Sequence, residues 1–161
     1  MIRPATPADS NSIARIYNHY IAHTIVTFEE APVTPTTMAD RLAEVTTTGL
    51  PWLVAEHDGA MLGYAYASAW RARSAYRYSI ESTVYLDHTH TRRGLGTALY
   101  GELLPLLQTR GHHVVIAGIS LPNDGSIALH ERCGFAKVAH FSEVGFKFER
   151  WVDVGYWQRT F

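Results

Sequence analysis

The chain has 161 residues, of which 47% are hydrophobic and 18% are charged, and its formal net charge is −1. These values are ordinary for a soluble globular protein, and a chain of this length can bury about 70% of its unfolded surface. The near-neutral charge gives no electrostatic reason for nucleic acid or an anionic membrane to be the main partner.

The sequence also indicates the cellular compartment and the number of domains. No apolar run is long enough to span a bilayer, and the first residues lack the apolar segment of a secretory signal. Cys133 is the only cysteine, so no intrachain disulfide can form. We therefore expect one domain over residues 1–161, located in the cytoplasm.

The first third of the chain predicts a strand followed by two helices. Ile2-Arg3-Pro4 is the candidate strand. Thr6-Pro7-Ala8-Asp9 then supplies an N-cap, a proline at the first helical position and an acidic partner three residues after the cap. Thr34-Pro35 repeats this pattern for the second helix, and Gly49 ends that helix.

A β-hairpin and a third strand are predicted next. Trp52-Leu53-Val54-Ala55-Glu56 has the composition of a strand, and Asp58-Gly59 is a strong two-residue hairpin signal. Residues 61–70 form the partner strand. Residues 71–77 are polar and interrupt the pattern, and residues 79–86 predict the following strand.

The second half of the chain predicts two helices and three strands. Helical spacing of leucines extends over residues 95–110. Val114-Val115-Ile116-Ala117 is a continuous apolar run, as expected for a strand buried on both faces. A short helix ends at Cys133, and residues 135–161 predict two strands separated near residues 144–150.

The turn after the strand at residues 79–86 carries the clearest functional signal. Gly94-Leu95-Gly96 lets backbone N–H groups approach an anion without interference from Cβ atoms, and the helix N-terminus behind it adds partial positive charge. Arg92 and Arg93 add full charges beside it. The turn therefore predicts a diphosphate ligand, with a plain helix-starting turn as the alternative.

Two common nucleotide-binding patterns do not fit this turn. The long phosphate loop that ends in Gly-Lys-Ser/Thr is absent, which excludes a nucleoside triphosphatase of that class. A dinucleotide-binding fold would place the glycines after its first strand, with an acidic residue about 20 residues further on. Here the glycines lie past the middle of the chain, and no second half of such a fold follows.

The turn resembles the acyl-CoA loop of the GNAT superfamily of N-acetyltransferases, whose pattern is Gln/Arg-x-x-Gly-x-Gly/Ala. Thr91 stands where that pattern has Gln or Arg. The resemblance covers essentially the whole chain and narrows to phosphinothricin-type acetyltransferases in five further segments. These segments are Ile16-Tyr17-Asn18-His19-Tyr20, Trp70-Arg71-Ala72-Arg73-Ser74-Ala75-Tyr76, Glu81-Ser82-Thr83-Val84-Tyr85, Leu121-Pro122-Asn123-Asp124 and Trp151-Val152-Asp153-Val154-Gly155-Tyr156-Trp157-Gln158.

The resemblance implies an α/β (α+β) fold of the GNAT acyl-CoA N-acyltransferase type, with a central mixed, mostly antiparallel sheet flanked by helices. It implies acetyl-CoA as co-substrate, and a bulge in the strand before the turn that frees an amide for the thioester carbonyl. It also implies a homodimer to which the late aromatic region contributes. The cofactor-binding candidates are Val84, Tyr85, Leu86, Arg92, Arg93, Gly94, Leu95, Gly96, Thr97, Asn123 and Ser126.

Glu81 is the candidate general base. It precedes Thr83 by two residues and Tyr85 by four, so the three side chains should project from one face of the strand. A carboxylate on an otherwise apolar and aromatic face has a raised pKa and suits proton abstraction. The resemblance gives the matching Glu this role. A solvent-facing strand residue is the alternative.

A second group of polar residues lies on the short helix. Asn123, Ser126 and His130 are spaced so that they share one side of it, where they could face the cofactor. A His can act as acid or base near neutral pH, and the resemblance makes His130 catalytic. The alternative is the ordinary polar face of an amphipathic helix.

The candidate acceptor-binding residues are Arg71, Arg73 and Tyr76, which precede the strand of Glu81. Guanidinium groups bind carboxylate or phosphinate in two-point contacts, which an amino-acid-like acceptor requires. The resemblance adds Phe28 as a residue near the acceptor. A solvated basic loop is the alternative.

The nine histidines do not predict a metal site. The close pairs are His88-x-His90 and His112-His113, and no third or fourth ligand follows at a recognised spacing. We therefore expect no metal cofactor.

These residues predict direct acetyl transfer from acetyl-CoA to the amino group of a small amino-acid analogue. The resemblance points to phosphinothricin or to methionine sulfoximine or sulfone, and hence to herbicide or antibiotic resistance. One rival is an enzyme that acetylates a peptide N-terminus or another amine, and another is a non-catalytic acyl-CoA-binding module. Glu81 together with His130 favours an enzyme, because binding alone requires neither residue.

Overall fold

The computed structural model describes residues 1–91 and 93–161, so the candidate Arg92 lies outside the described residues. The strands are β1 (Ile2–Pro4), β2 (Trp52–His57), β3 (Ala60–Ala69), β4 (Ser79–Leu86), β5 (Val114–Ser120), β6 (Ala136–Lys147) and β7 (Arg150–Thr160). The α-helices are α1 (Ser10–His23), α2 (Pro35–Thr47), α3 (Leu95–Thr109) and α4 (Asp124–Arg132). None of the helices in the described residues is long and apolar enough to cross a membrane.

The seven strands form one sheet in the order β1-β2-β3-β4-β5-β7-β6. All neighbouring strands are antiparallel except β4 and β5, which are parallel. The expected mixed, mostly antiparallel sheet flanked by helices is therefore confirmed, as is the predicted succession of helices and strands.

The predicted helix starts form as the sequence pattern requires. The Asp9 carboxylate accepts hydrogen bonds from the Thr6 N–H at 2.7 Å and from the Arg3 guanidinium at 2.9 Å. Arg3 and Thr6 hold the pKa of Asp9 at about 2 although burial raises it. At α2, the Thr34 hydroxyl accepts from the Thr37 N–H at 3.1 Å. The Arg3–Asp9 pair also joins the start of α1 to β1, whereas the Thr34 cap is local to α2.

Different helices cover the two faces of the sheet. α1 and α2 pack on the face that carries Tyr64 of β3, whereas α3 packs on the face that carries Ala65. Because strand side chains alternate between faces, β4 presents Tyr85 to α1 and Ser82 to Tyr100 of α3. The side chain of Glu81 therefore lies on the α1 side, which is also the side of Tyr85.

The parallel pairing of β4 with β5 is short. It consists of Ser79 with Val114, Ile80 with Val115 and Glu81 with Ile116. Beyond Glu81, β4 continues along β3 as far as Leu86, while β5 continues along β7 as far as Ser120. The two strands therefore part and leave a gap between them, which α3 and α4 border at their N-terminal ends.

The last two strands differ from the prediction. The expected break near residues 144–150 is only partly correct, because β6 continues to Lys147 and the turn consists of Phe148 and Glu149, both with positive φ. A register shift between Phe141 and Gly145, with Glu143 at φ 52°, lies inside the strand. A bulge bends a strand without ending its pairing, and a sequence pattern does not distinguish it from a turn.

Candidate active site

The gap between β4 and β5 forms a cleft of about 500 Å³. Most of the predicted cofactor-binding residues line it, which brings together one strand, one turn and the N-terminal ends of two helices. They are Val84, Tyr85, Leu86, Gly94, Leu95, Gly96, Thr97, Asn123 and Ser126. Arg93 is exposed and does not line the cleft. A smaller chamber of about 200 Å³ adjoins the cleft, and Glu81 and His130 both line it.

The backbone of β4 offers free polar groups to this cleft. In an antiparallel pair, the residues that exchange hydrogen bonds alternate along each strand. The bonds from Trp70 N to Ser79 O and from Asp87 N to Leu62 O direct the odd-numbered residues of β4 toward β3. Val84 therefore directs its N–H and C=O toward the gap. The Tyr85 N–H is directed toward β3, so it is not free to bind a ligand in the cleft.

The expected bulge in β4 is wrong. The pairing with β3 runs without a register shift from Gly63 opposite Leu86 to Ala69 opposite Ile80. The free amides arise because β5 leaves β4, and no distortion of β4 is needed. The Leu86 carbonyl, which also points to the gap, accepts a hydrogen bond from the Tyr20 hydroxyl at 2.7 Å.

The two glycines of the turn are required for different reasons, backbone conformation at Gly94 and close packing at Gly96. Gly94 is the N-cap of α3 with φ 76°, a conformation that residues with a side chain rarely adopt. At Gly96, a Cβ would lie 2.7 Å from Cδ2 of Leu129. Gly96 is therefore required for α4 to pack against α3, in addition to any role toward a ligand.

Asp87 anchors the loop that precedes this turn, and the sequence analysis missed it. Its carboxylate accepts from the Thr89 N–H at 3.0 Å and from the Arg15 guanidinium at 2.7 Å. Although burial raises the pKa of Asp87, the hydrogen bonds from Thr89 and Arg15 hold it well below its usual range. An Asp side chain commonly accepts a hydrogen bond from the backbone N–H two residues later. An Asp at the end of a strand is therefore a recognisable capping signal.

Glu81 lies at the last paired position before the strands part. Ser68 is its partner on β3, and its half-buried side chain shares a face with Thr83 and Tyr85, as predicted. Burial raises the pKa of Glu81, and the charge of Arg71 opposes part of that rise. A carboxylate whose pKa is raised is a stronger base than an exposed one, which suits proton abstraction.

His130 is buried, with only 3% of its surface exposed, which contradicts the alternative that it lies on the ordinary polar face of α4. Its Nδ1 donates to the Ser126 carbonyl at 2.7 Å, which leaves Nε2 as an acceptor for the Tyr100 hydroxyl at 2.8 Å. Tyr100 in turn accepts from the Ser82 hydroxyl at 3.0 Å. Burial lowers the pKa of His130, so the ring is neutral at pH 7.

Tyr100 and Ser82 were missed because the contacts that define them are distant in sequence. Tyr100 is fully buried in the apolar face of α3, and a buried hydroxyl needs a hydrogen-bond partner. This need for a partner was the signal that could have identified Tyr100.

Asn123, expected to bind the cofactor, also has a structural role. Its Oδ1 accepts from the Ser126 N–H at 3.1 Å and caps α4. Only its amide nitrogen remains to donate to a ligand.

The predicted acceptor residues lie outside the cleft and the chamber. Arg71, Arg73 and Tyr76 are exposed, and Arg71 lies over the Trp70 ring at 5.0 Å. Of these three residues, only Arg71 affects the pKa of Glu81, which its positive charge lowers. Phe28 is 39% exposed and packs against Gly145 of β6.

The structure contains a second cavity and one cation at the cleft that were not predicted from the sequence. A cavity of about 490 Å³ lies between α1, α2 and the sheet, and Tyr17, Trp52 and Tyr66 line it. Tyr66, which lines this cavity, pairs in the sheet with Thr83, which lines the chamber. The cation is Arg132, which lines the cleft one helical turn after Leu129 in α4.

The histidines do not gather around a possible metal position. Within residues 1–91 and 93–161, no group of three or more His, Cys, Asp or Glu side chains is placed to hold a metal ion. His19 and His88 instead stack with their rings 3.7 Å apart.

Known proteins with this sequence pattern are acetyltransferases. Residues 2–155 match the family described as Acetyltransferase (GNAT) domain. The chain is 46% identical over 160 residues to phosphinothricin N-acetyltransferase of Streptomyces viridochromogenes, covering 99% of this chain and 87% of that protein. It is 36% identical to the L-methionine sulfoximine/L-methionine sulfone acetyltransferase of Salmonella typhimurium, covering 98% of this chain and 92% of that protein.

Solved structures agree with these relatives. The phosphinothricin acetyltransferase of Sinorhizobium meliloti in complex with AcCoA has a TM-score of 0.96 and 38% identity, covering 99% of this chain and 87% of that one. The ribosomal-protein-alanine N-acetyltransferase of Brucella melitensis has a TM-score of 0.98 and 35% identity, covering 100% of this chain and 99% of that one. From its sequence match and its fold, the chain belongs to the GNAT acetyltransferase family.

Proposed function

We propose that this protein is an acetyl-CoA-dependent N-acetyltransferase that acts on the amino group of a small amino-acid analogue, of the phosphinothricin or methionine sulfoximine/sulfone kind. The observation that carries this proposal is the position of Glu81, a half-buried carboxyl group at the point where β4 and β5 part. The relatives named for these acceptors support the substrate class. We further propose a cytoplasmic enzyme of one domain with a role in resistance to such compounds.

The residues of the cleft fit acetyl-CoA, whose thioester supplies the acetyl group. The free N–H and C=O of Val84 match the amide groups of the pantetheine arm, and the amide nitrogen of Asn123 adds a donor on the opposite side. The N-terminal end of α3, from Gly94 to Thr97, favours the diphosphate because its N–H groups have no partner within the helix. Arg132 adds a positive charge at the same cleft.

Two residues of the chamber, the half-buried Glu81 and the buried His130, carry the proton transfers in this proposal. The acceptor amine arrives protonated, and Glu81 takes the proton directly or through water, because only the free amine attacks the thioester. Attack forms the C–N bond of the amide and breaks the C–S bond of the thioester, and the departing CoA sulfur takes up a proton that the nitrogen gives up. His130, neutral and hydrogen-bonded to Tyr100 in the same chamber, is the second residue that we propose for this proton transfer. Arg71, Arg73, Tyr76 and Phe28 remain the proposed acceptor-binding residues, with the carboxylate of the acceptor facing the guanidinium groups.

A homodimer is the assembly that we propose. Six apolar side chains of the β6–β7 hairpin are each more than half exposed, and β6 is an edge strand of the sheet. Large exposed apolar patches and unpaired edges favour association, and a second copy offers the same surface. The side chains are Val138, Phe141, Val144, Phe146, Phe148 and Trp151.

A panel of amines tests the function directly. Thiol release from acetyl-CoA is expected to be fastest with phosphinothricin, methionine sulfoximine or methionine sulfone. Faster release with a peptide that begins with Ala would favour a protein N-terminal acetyltransferase. The similarity to the ribosomal-protein-alanine N-acetyltransferase of Brucella suggests this alternative. Binding of acetyl-CoA without thiol release from any amine would favour the non-catalytic module.

The pH dependence of kcat/KM tests the role of Glu81. The pKa of Glu81 is raised, so the active carboxylate forms as pH rises and the rate increases on the acidic side of the profile. Glu81→Gln is expected to lower kcat/KM by about 10²- to 10⁴-fold and to flatten that limb. His130→Ala is expected to slow turnover less and to keep the limb. Glu102→Gln, an exposed change on α3, is the control. Unchanged profiles in both site variants would contradict the assignment.

The glycine turn is tested by the affinity for acetyl-CoA. Gly94→Ala places a side chain at φ 76°, which costs about 1–2 kcal/mol and disturbs the N-terminal turn of α3. We expect about tenfold weaker binding by titration calorimetry. Gly101→Ala lies in the same helix with open space around the new Cβ and is the control. Equal affinities for the two variants would show that the turn does not hold the cofactor.

The proposed dimer is tested by light scattering after size-exclusion chromatography. The wild type is expected to have twice the 18.0 kDa mass of one chain. Trp151→Glu places a charge in the apolar hairpin surface and is expected to yield the single-chain mass. Leu106→Glu, at an exposed position of α3, is expected to keep the dimer. A single-chain mass for the wild type would rule the assembly out.

A further inference from the structure

A lysine is buried in the β6–β7 hairpin, where neither the fold nor the proposed chemistry requires a charge. Lys147 is 1% exposed, and its Nζ donates to the backbone carbonyl of Thr27 at 2.7 Å. Its ammonium also lies 5.0 Å from the centre of the Phe148 ring. Burial lowers the pKa of Lys147, and the charge of Glu30 opposes that shift. Lysine is almost never fully buried without a specific partner.

The partner of Lys147 belongs to a segment that lacks regular secondary structure, residues 24–34, which joins α1 to α2. A segment without a backbone hydrogen-bond ladder depends on individual contacts for its position. Asn18 holds its far end through two hydrogen bonds of 2.9 Å with Val33. The Arg41 guanidinium holds Glu29 in a two-point ion pair at 2.5 and 2.9 Å.

Three contacts fix the middle of the segment. The Thr27 hydroxyl is hydrogen-bonded to the Tyr17 hydroxyl at 2.7 Å, and the Thr27 carbonyl accepts from Lys147. The Phe28 ring packs so closely on Gly145 that a Cβ at that position would overlap it. Two of these contacts come from the β6–β7 hairpin, more than 100 residues away in sequence.

The same middle segment forms a wall of the chamber. Val26 and Thr27 line it together with Glu81 and His130. Lys147 itself does not line the chamber, so it cannot touch an acceptor there. A shift of the backbone at Thr27 would change the width of the chamber beside Glu81.

We propose that Lys147 is a positioning residue, which ties the β6–β7 hairpin to the wall of the chamber and so sets the affinity for the acceptor amine. The proposal rests on the proposed function, because it assigns the chamber to the acceptor. The long side chain of lysine reaches from the hairpin to the carbonyl, and a charged donor makes a stronger hydrogen bond than a neutral one. The apolar hairpin surface and the acceptor site are thereby mechanically linked.

Lys147→Met tests this role, because methionine has a similar length and no donor. We expect the KM for the acceptor to rise about tenfold, with kcat within about twofold and with unchanged affinity for acetyl-CoA. Lys137→Met is the matched control, since Lys137 is exposed on the same strand. A merely structural role would instead lower kcat and cofactor affinity together with acceptor affinity.

Gly145→Ala displaces the same segment from another side, through the Phe28 ring, and is expected to give the same rise in KM. The double variant should lose less than the product of the two single effects, since both act through one contact region. Unchanged KM in both variants, or an equal loss of kcat and cofactor affinity, would overturn the proposal.

Amide hydrogen exchange keeps the test independent of activity. In Lys147→Met, the amides of residues 24–30 are expected to exchange faster, while those of α3 keep the wild-type rate. If the wild type transfers no acetyl group to any amine, the proposed function fails. The exchange rates then decide whether Lys147 holds the segment: faster exchange supports the contact, and unchanged exchange contradicts it.

Discussion

The short parallel contact between β4 and β5 is the constraint on which the rest of the site depends. Only three residue pairs join the two strands, and the pairing ends at Glu81. Backbone polar groups in the middle of a sheet are normally paired, and leaving them free is costly unless water or a ligand binds them. Parting the strands therefore creates a strip of backbone donors and acceptors at Val84, which is the kind of surface that an amide-containing ligand arm can use.

The same parting determines where the helices lie and what is buried. α3 follows β4 and α4 follows β5, so both N-terminal ends border the gap. The side chain of Leu129 fills the space over Gly96 and holds the two helices together. Burial then acts on two titratable groups of the chamber, raising the pKa of Glu81 and lowering that of His130. Both shifts have one cause, since burial disfavours the charged form of either group.

Features set by local sequence could be predicted, whereas features set by distant contacts could not. The alternation along β4 predicted the face that carries Glu81, and Gly94 predicted the turn before α3. Tyr100 gave only the general signal that a buried hydroxyl needs a partner, and Lys147 gave none, because their partners His130 and Thr27 are 30 and 120 residues away in sequence. The expected bulge in β4 was wrong for a related reason. The free amides depend on where β5 goes, which no pattern within β4 records.

A crystal structure with CoA and methionine sulfone bound would test most directly whether the gap between β4 and β5 is the site of acetyl transfer. We expect the pantetheine arm beside the Val84 backbone and the diphosphate at the N-terminal turn of α3. The acceptor nitrogen should lie within about 3 Å of a Glu81 oxygen, or one water away from it. An acceptor bound in the cavity between α1, α2 and the sheet, with its nitrogen remote from Glu81, would contradict the assignment.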